Sequence, residues 1–379
     1  MILHISSDNK FIIYSISQFE EVAPGKNIFL IDVPNDDYKL KFVEKAENVI
    51  AATSRSHQYK QIINNIDKYD FVVIHSLNGE RVKIINKAPD KTKFAWIPWG
   101  ADLYDLDKSL NFYLPETKKL IRKEQLRYSI QRIFENSYNI AFYANSKYKQ
   151  KRKAIGRIEY YLNRKDNLRI VKPYNKDIKQ IDYYYYTIEN TLGSCLNKKI
   201  AAENILLGNS ATPTNNHLEA FKSLSELKLE GRKIIVPLSY GDNKYQKQIL
   251  AKGRSILKQN FHPVLNLMPI DEYNNIVCSC NVVIMNHIRP QAFGNILTSL
   301  WLGARVYLNK ENTIYSFFKD LGILIFSIDE DLDHSKSTTL SALNEHEVEH
   351  NKKILIEVFS YEKAIERTRE IIHTIIKSD

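Results

Sequence analysis

The sequence predicts an α/β protein made of two doubly wound domains with parallel sheets. Short apolar runs alternate with amphipathic helical patterns along the chain. The runs are rich in Ile, Val, Leu and Phe, as strands covered on both faces are. They form two successive series, separated by a polar stretch within residues 172–203. The length of 379 residues also fits two domains.

Ten apolar runs are predicted to be strands, five in each series. They are short, as buried strands are, and helical patterns lie between them. The first series comprises Ile2–Ile5, Ile28–Val33, Phe71–Ile74, Phe94–Ile97 and Ile140–Tyr143, and the second comprises Asn204–Leu207, Lys233–Pro237, Val282–Met285, Arg305–Leu308 and Ile323–Phe326.

The domain boundaries follow from the same two series. Residues 1–190 are predicted to form the first domain and residues 191–355 the second. The segment 356–379 is predicted to be a C-terminal helix that can pack back on the first domain. The reason is that the stretch from Tyr361 to Lys377 carries apolar residues near helical spacing.

Composition is that of an ordinary globular protein, with 44% hydrophobic and 26% charged residues. No apolar run approaches the ~20 residues that span a bilayer, and the N-terminus lacks the pattern of a signal peptide. Three cysteines do not make a disulfide framework, and their spacing is not that of a zinc site. These features predict a cytoplasmic protein with reduced cysteines.

Positive charge is concentrated in one part of the chain. The net charge is +10, and residues 111–157 alone hold 12 Lys or Arg and 3 Glu, a net +9. One interpretation is a solvated basic helix face. The other is a surface for an anionic partner, such as lipid headgroups, a diphosphate or a nucleic acid.

The segment Trp96–Tyr104, with the sequence WIPWGADLY, begins at the end of a predicted strand. It places aromatic rings, a glycine and a carboxylate in one turn. Aromatic faces pack on sugar C–H groups, glycine allows close approach to the backbone, and a carboxylate binds hydroxyls. The alternative is a strand end with two packed indoles. A sugar site here would be formed by Trp99, Gly100, Asp102 and Tyr104.

The second domain opens with a strand that runs into the small-residue loop Gly208–His217. A helix pattern follows, and Thr214 or Asn215 is predicted to cap it. Free N–H groups and the helix dipole converge at such a turn, which either binds an anion or is simply a capped βα turn. The ligand-binding candidates in this loop are Gly208, Asn209, Ser210 and His217.

A second candidate loop, Asn286–Asn295, lies between the predicted strand Val282–Met285 and a helix. Arg289 offers a fixed fork of donors for a phosphate. Gly294 and Asn295 lie where helix-opening N–H groups would face a diphosphate.

Three further polar residues lie just past strands or at a helix start. Tyr240 follows a strand and offers a ring for a nucleobase or for packing. Glu272 opens a helix, where it either binds sugar hydroxyls or only favours the helix dipole. Asn309 follows another strand, at an end where ligands of open α/β sheets bind. The chain has no HExxH or DxD motif, so a metal-independent site is predicted.

Together these segments resemble glycosyltransferase family 56, the bacterial 4-acetamido-4,6-dideoxygalactose (Fuc4NAc) transferases. These enzymes are similar to 4-alpha-L-fucosyltransferases. Their reaction is that of a TDP-N-acetylfucosamine:lipid II N-acetylfucosaminyltransferase. The motifs occur in family order and cover roughly residues 90–325. The segments that carry the resemblance are Trp99–Tyr104, Leu207–Ser210, Asn216-His217, Val236–Leu238 with Tyr240, Arg289 with Gln291 and Gly294, and Leu308–Asn312.

The resemblance implies a GT-B fold, in which two Rossmann-like domains face a central cleft, with the donor on the second domain and the acceptor on the first. It implies transfer of a Fuc4NAc-like sugar from a TDP-sugar to an undecaprenyl-diphosphate-linked saccharide. The product would enter enterobacterial common antigen, O-antigen or capsule. The implied donor-binding residues are Gly208, Asn209, Ser210, His217, Tyr240, Glu272, Arg289, Gln291, Gly294, Asn295 and Asn309.

The resemblance also implies a place and a set of partners. The protein would lie on the cytoplasmic side of the bacterial inner membrane as a peripheral protein, at an anionic surface. It would need no cofactor and bind no nucleic acid. Two other classes remain open. A GT-B nucleotide-sugar 2-epimerase would consume the nucleotide-sugar in the absence of an acceptor. A basic nucleic-acid-binding protein is the other class, but no nucleic-acid recognition motif is present.

Two residues are predicted to be catalytic. Arg289 would stabilise the leaving diphosphate. Asp102 would act on the acceptor hydroxyl in one of two ways. It would be the general base if the transfer inverts the anomeric carbon, and it would only orient the acceptor if the transfer retains configuration.

Overall fold

The computed structural model of the chain describes residues 1–104, 106, 111–122, 137–333, 335–336 and 338–377. The chain divides into two compact units. The first unit comprises Met1–Leu110, Asn136–Thr187 and Tyr361–Asp379, and the second comprises Asn111–Glu135 and Ile188–Ser360.

The first unit contains a seven-stranded sheet in which all neighbouring strands are parallel. Its strands are β1 (Ile2–Ser7), β2 (Asn27–Asp32), β3 (Val49–Ala52), β4 (Phe71–His75), β5 (Phe94–Ile97), β6 (Tyr160–Leu162) and β7 (Lys179–Ile181). Their spatial order is β3-β2-β1-β4-β5-β6-β7. The order therefore reverses between β1 and β4, which is the switch point of a doubly wound sheet.

The second unit repeats this plan with a six-stranded parallel sheet. Its strands are β8 (Asn204–Leu207), β9 (Ile234–Pro237), β10 (Phe261–Val264), β11 (Cys280–Met285), β12 (Arg305–Leu308) and β13 (Phe326–Ser327). Their spatial order is β10-β9-β8-β11-β12-β13, so the switch point lies between β8 and β11.

Helices connect the strands and cover the sheets. In the part of the chain that the structure describes, no helix is long and apolar enough to cross a membrane. In chain order the helices are α1 (Ile12–Val22), α2 (His57–Asn64), α3 (Gly79–Lys87), α4 (Ala101–Tyr104), α5 (residues 115–122), α6 (Ser137–Gly156), α7 (Leu168–Val171), α8 (Ile188–Leu192), α9 (His217–Ser225), α10 (Asn243–Leu257), α11 (Ile270–Cys278), α12 (Phe293–Leu302), α13 (Thr313–Asp320), α14 (Ile328–Asp331), α15 (Glu345–Phe359) and α16 (Tyr361–Ile376).

Eight of the ten predicted strands coincide with β1, β2, β4, β5, β8, β9, β11 and β12. The predicted strand Ile140–Tyr143 is wrong, because these residues lie within the 20-residue helix α6. A four-residue apolar run fits either structure, and only the length of the whole element separates them. The predicted strand Ile323–Phe326 shares only its last residue with β13. The strands β3, β6, β7 and β10 were not predicted.

The central strands form the cores of the two units. Every residue of β4, β5 and β11 is buried, as parallel strands covered on both faces require. The C-terminal helix α16 belongs to the first unit, where Ile371 and Ile375 pack with Phe19 of α1. In the second unit Phe221 of α9 and Ile249 of α10 pack on β8 and β9.

The segment 111–122 belongs to the second unit, although the predicted boundary placed it in the first domain. The backbone N–H of Leu114 donates to Oδ1 of Asn216 at 2.9 Å. The Glu219 carboxylate accepts from the backbone N–H and the hydroxyl of Thr117, at 2.9 and 2.7 Å. These bonds fasten the segment to the start of α9, across about a hundred residues of sequence that no local pattern reveals.

Two buried histidines lie side by side in the first sheet. Nδ1 of His4 on β1 lies 3.0 Å from Nε2 of His75 on β4, and His4 Nε2 lies 3.3 Å from Oδ1 of Asn27. Burial lowers the pKa of His4 to about 3 and the pKa of His75 well below its ordinary value. Both imidazoles are therefore neutral in the folded protein at neutral pH.

We expect the first unit to lose stability in mild acid because of this pair. The unfolded chain binds protons on these histidines near pH 6.5, whereas the folded chain does so only at much lower pH. Stability is thus fully present above pH 6.5 and declines below it, by up to about 1.4 kcal/mol per pH unit for each histidine. Urea unfolding at pH 7.5, 6.0 and 5.0 measures the decline.

The variant His4→Gln should unfold with a shallower pH dependence than the wild-type chain. The exposed residue His346 offers the control variant His346→Gln, which should keep the wild-type slope. Equal slopes for wild type and His4→Gln would contradict the assignment.

Candidate functional site

Both predicted anion-binding loops meet at the switch point of the second sheet. The loop after β8 is Gly208–Asn216, here called the β8 loop, and the loop after β11 is Asn286–Ala292, the β11 loop. β8 and β11 are neighbouring parallel strands, so their carboxyl ends lie at the same edge. Ligands of open α/β sheets bind at this edge beside the switch point.

A chain of side-chain hydrogen bonds connects four of the predicted site residues. Asn209 Nδ2 donates to the Tyr240 hydroxyl at 3.1 Å, and Gln291 Nε2 donates to Asn209 Oδ1 at 3.1 Å. Arg289 Nε donates to Gln291 Oε1 at 2.8 Å. The structure thus brings together residues from the loops after β8, β9 and β11.

Asn215 holds the β8 loop in shape. Its side chain is fully buried, and Oδ1 accepts from the backbone N–H of Asn209 at 2.9 Å and from His287 Nε2 at 2.8 Å. Its Nδ2 donates to the carbonyl of Ser210 at 2.9 Å. Gly208 has φ +67°, and a Cβ there would lie 2.6 Å from Asn215 Oδ1, so only glycine fits.

A reciprocal pair of asparagines joins the β8 loop to the β11 loop. Asn216 Nδ2 donates to the carbonyl of Asn286 at 3.0 Å, and Asn286 Nδ2 donates to the carbonyl of Asn216 at 3.2 Å. Asn309 donates to Asn286 Oδ1 at 3.2 Å and accepts the N–H of Glu311 at 2.9 Å. Both ends of the Asn309 amide are therefore used within the fold.

The helices α9 and α12 begin at this edge without side-chain caps. The residue before α9 is Asn216 (φ 50°) and the residue before α12 is Ala292 (φ 58°), and neither side chain bonds the first turn. The predicted cap of α9 by Thr214 or Asn215 is therefore wrong, because Asn215 holds the loop instead. Gly294 lies in the first turn of α12, where N–H groups and the helix dipole favour an anion.

The remaining predicted donor residues play different parts. His217 is fully buried, with Nδ1 3.1 Å from the Tyr245 hydroxyl, and burial lowers its pKa to about 3. Ser210 is buried within its own loop. Asn295 donates to the Tyr273 hydroxyl at 2.8 Å. Glu272 lies exposed in the first turn of α11, outside the hydrogen-bonded chain of side chains.

In the first unit, the Asp102 carboxylate fixes the turn after β5. Oδ2 accepts from the backbone N–H of Leu77 at 2.8 Å and from Trp96 Nε1 at 3.0 Å, and Oδ1 accepts from the N–H of Trp99 at 2.9 Å. Asp102 is only 7% exposed. The carboxylate predicted to act on an acceptor hydroxyl is thus engaged with three donors inside the fold.

The other residues of this turn divide between surface and interior. Trp99 is half-buried, and its ring centroid lies 5.6 Å from that of Phe11, which follows β1. Gly100 has φ +100°, a conformation that favours glycine. Tyr104 is buried. Tyr185 extends the aromatic cluster, with its ring 5.8 Å from Phe11.

The sequence did not predict which residues hold the loops of the second unit's edge in place. The buried amides of Asn215, Asn216, Asn286 and Asn312 carry the loop contacts. Their partners lie as far as 104 residues away, so sequence spacing gives no sign of them. The loop position after each strand is the one signal that could have pointed to them. Within the described ranges, no group of three His, Cys, Asp or Glu is arranged to hold a metal ion.

Two doubly wound Rossmann-like units are the architecture of the GT-B fold, which confirms the predicted fold class. Solved structures of this class match nearly the whole chain. Anabaena HepE in complex with UDP-glucose matches with a TM-score of 0.61 and 9% identity, over 99% of this chain and 100% of that one. Sucrose-phosphate synthase from Thermosynechococcus elongatus matches with a TM-score of 0.64 and 7% identity, over 100% and 99% of the two chains.

A third similar structure is the trehalose 6-phosphate synthase of Burkholderia multivorans, with a TM-score of 0.60 and 8% identity over 100% and 96% of the two chains. These identities show the fold alone. The family comes from the sequence: residues 148–360 match the family of 4-alpha-L-fucosyltransferases, glycosyl transferase group 56. This match spans more than half of the chain, so the protein belongs to that family and is a glycosyltransferase.

The variant Gly208→Ala should destabilise the second unit and disturb the β8 loop. The left-handed backbone costs about 1–2 kcal/mol for alanine, and the new Cβ would also collide with Asn215 and His217, at 2.6 and 3.0 Å. Thermal unfolding measures the loss. Gly231, with φ +79° and open space around it, gives the control variant Gly231→Ala, which carries only the backbone strain. Equal losses in both variants would show that the crowding at Gly208 is not significant.

The variant Asp102→Asn should destabilise the first unit by about 1–3 kcal/mol, because one of the three buried donors would then face an NH₂ group. Urea unfolding measures the change. Asp90, whose side chain is fully exposed in its ion pair with Arg157, gives the control Asp90→Asn with little effect. An Asp102→Asn chain of wild-type stability that has lost sugar transfer would instead support Asp102 as the general base.

Proposed function

We propose that this glycosyltransferase moves a 4-acetamido-4,6-dideoxyhexose, Fuc4NAc or a close relative, from a TDP-sugar to a lipid-diphosphate-linked saccharide. The product would be used in bacterial surface polysaccharide assembly, such as enterobacterial common antigen, O-antigen or capsule. Membership of the group 56 family supports sugar transfer. The observation that carries the donor site is the hydrogen-bonded chain from Arg289 to Tyr240 at the second unit's switch point.

The two ends of this hydrogen-bonded series of side chains suit the two ends of a nucleoside diphosphate, the diphosphate and the nucleobase. Arg289 and the uncapped start of α12, with Gly294 in its first turn, offer positive potential for a diphosphate. Tyr240, 52% exposed, offers a ring face for a nucleobase. Anabaena HepE, which shares the fold, is seen in complex with UDP-glucose. These features support a nucleotide-sugar donor on the second unit.

The proposed mechanism is metal-independent. Breaking the bond between sugar and diphosphate leaves negative charge on the departing oxygen. Arg289 and the N–H groups at the start of α12 would stabilise that charge in place of a metal ion. The β8 loop, which follows the neighbouring parallel strand at the same sheet edge, would contact the same group.

The acceptor is proposed to bind at the carboxyl edge of the first sheet. Trp99 and Phe11 present aromatic surface there, on which sugar C–H groups pack. Asp102 is assigned the task of fixing the Trp99–Gly100 turn through its three hydrogen bonds, and thereby orienting the acceptor. NMR of the product's anomeric configuration tests whether a separate general base is required.

A peripheral position on the cytoplasmic side of the inner membrane completes the proposal. Exposed Lys147, Lys149, Arg152 and Lys153 of α6 support contact with anionic headgroups, while part of the basic stretch 111–157 lies outside the described residues. Cosedimentation with anionic vesicles at low salt, weakening as salt rises, is the expected result. Absence of binding at low salt would remove this part of the proposal.

A transfer assay with TDP-Fuc4NAc and a lipid-linked disaccharide tests the reaction directly. Label should pass into the organic-soluble product, and EDTA should leave the rate unchanged. The variant Arg289→Ala should lower turnover by more than about tenfold, the effect of losing one strong contact to the transition state. The control Arg232→Ala removes an arginine of the same unit that pairs with Glu203 at 2.9 Å, and it should keep the rate.

Other outcomes of this assay separate the competing functions. Consumption of the TDP-sugar without an acceptor would favour an epimerase. Wild-type turnover by Arg289→Ala would exclude Arg289 from the donor site. A UDP-sugar used in preference to a TDP-sugar would correct the donor while leaving the transfer reaction in place.

A further inference from the structure

Gln291 occupies the branch point of the polar chain. Its Oε1 accepts from Arg289 Nε at 2.8 Å and from the Thr214 hydroxyl at 2.8 Å. Its Nε2 donates to Asn209 Oδ1 at 3.1 Å. One half-buried amide therefore ties Arg289 of the β11 loop to two residues of the β8 loop.

The chemistry of Arg289 determines which group donates and which accepts in each hydrogen bond of this series of side chains. A guanidinium Nε–H can only donate, so the oxygen of the Gln291 amide must face it. The Gln291 NH₂ group then faces Asn209 Oδ1, and Asn209 is left to donate to the Tyr240 hydroxyl. A neutral amide is the side chain of this size that accepts from Arg289 and donates to Asn209 at the same time.

This contact fixes the orientation of the cation. The guanidinium group is planar and rigid, so holding Nε sets the plane in which the two terminal nitrogens lie. Gln291 orients that plane without placing a formal negative charge against Arg289, as a carboxylate at the same position would do. Thr214 in turn holds Gln291 Oε1, and Thr214 is itself buried in the β8 loop.

We propose that Gln291 is the positioning residue that orients the Arg289 guanidinium toward the donor's diphosphate, with Thr214 holding Gln291 in place. The inference rests on the proposed function, because it assigns a diphosphate to Arg289. It goes further in naming the residue that makes Arg289 effective. Gln291 also connects Arg289, which would bind the phosphates, to Tyr240 through Asn209.

A double-mutant cycle measures this positioning. Binding of TDP and of UDP is measured by calorimetry for wild type, Arg289→Ala, Gln291→Leu and the double variant. Arg289→Ala and Gln291→Leu should each weaken binding by about tenfold or more, the effect of losing a charge-assisted hydrogen bond. The double variant should bind no more weakly than Arg289→Ala alone, because Gln291 acts through Arg289.

Two further variants keep the test sharp. Gln291→Glu should weaken binding at least as much as Gln291→Leu, because its carboxylate neutralises Arg289 and offers no donor to Asn209. Thr214→Val should cause a smaller loss of the same kind, and it tests the proposal even if a Gln291 variant fails to fold. The matched control is Gln180→Leu in the first unit, where Gln180 donates to the Asn163 carbonyl at 2.7 Å, and it should leave binding unchanged.

Each result has a distinct meaning. Additive losses in the double variant, or wild-type binding by Gln291→Leu, would overturn the positioning role while leaving the donor site intact. Wild-type binding by Arg289→Ala would instead refute the proposed donor site, and the positioning role with it. Losses that are not additive, with Gln180→Leu unaffected, would support both.

Discussion

The architecture of the candidate donor site depends on buried asparagine amides, which hydrogen-bond the loop backbone beyond the carboxyl ends of the strands in the second sheet. At the carboxyl end of a parallel strand the backbone still has donors and acceptors to satisfy. An amide both donates and accepts, so one side chain can serve an N–H and a carbonyl together. Asn215 does this within the β8 loop, and Asn216 and Asn286 do it between the two loops. The loops are thereby held beside Arg289 by groups that carry no charge.

The first unit solves the same problem with charged groups. The Asp102 carboxylate accepts three N–H donors, and the buried Arg81 guanidinium donates to the carbonyls of His75 and Ser76 and pairs with Asp32 at 2.8 Å. Removing either partner would leave a buried charge without compensation, which is strongly destabilising. These charges are also committed to the fold. Six strands follow the same order in both sheets. The chemistry at their carboxyl edges differs, with fixed charges in the first sheet and a neutral amide network around a cation in the second.

The fold was predictable because its signal is local. Apolar runs of four to six residues marked eight strands, and their carboxyl ends correctly located both loops that meet at the second switch point. The errors arose where local pattern is ambiguous or weak: Ile140–Tyr143 reads equally as strand or helix, and the short strand β7 carries Lys179 and Gln180. Site residues on the surface of the loops, such as Asn209 and Gln291, could be proposed from position and residue type. The amides of Asn216 and Asn286 could not, because their roles exist only once segments 70 residues apart have met.

The basic stretch 111–157 is a second example of what local sequence pattern does not predict. By composition it is one positively charged segment, but its residues are divided between the two units. Lys118, Lys119 and Arg122 lie on α5, which Asn216 and Glu219 fasten to the start of α9 in the second unit, whereas Lys147 to Lys153 lie on α6 in the first. Asn216 contacts both the segment before α5 and the β11 loop. Asn216 therefore fixes the segment that leads into α5 to the same loops that frame Arg289.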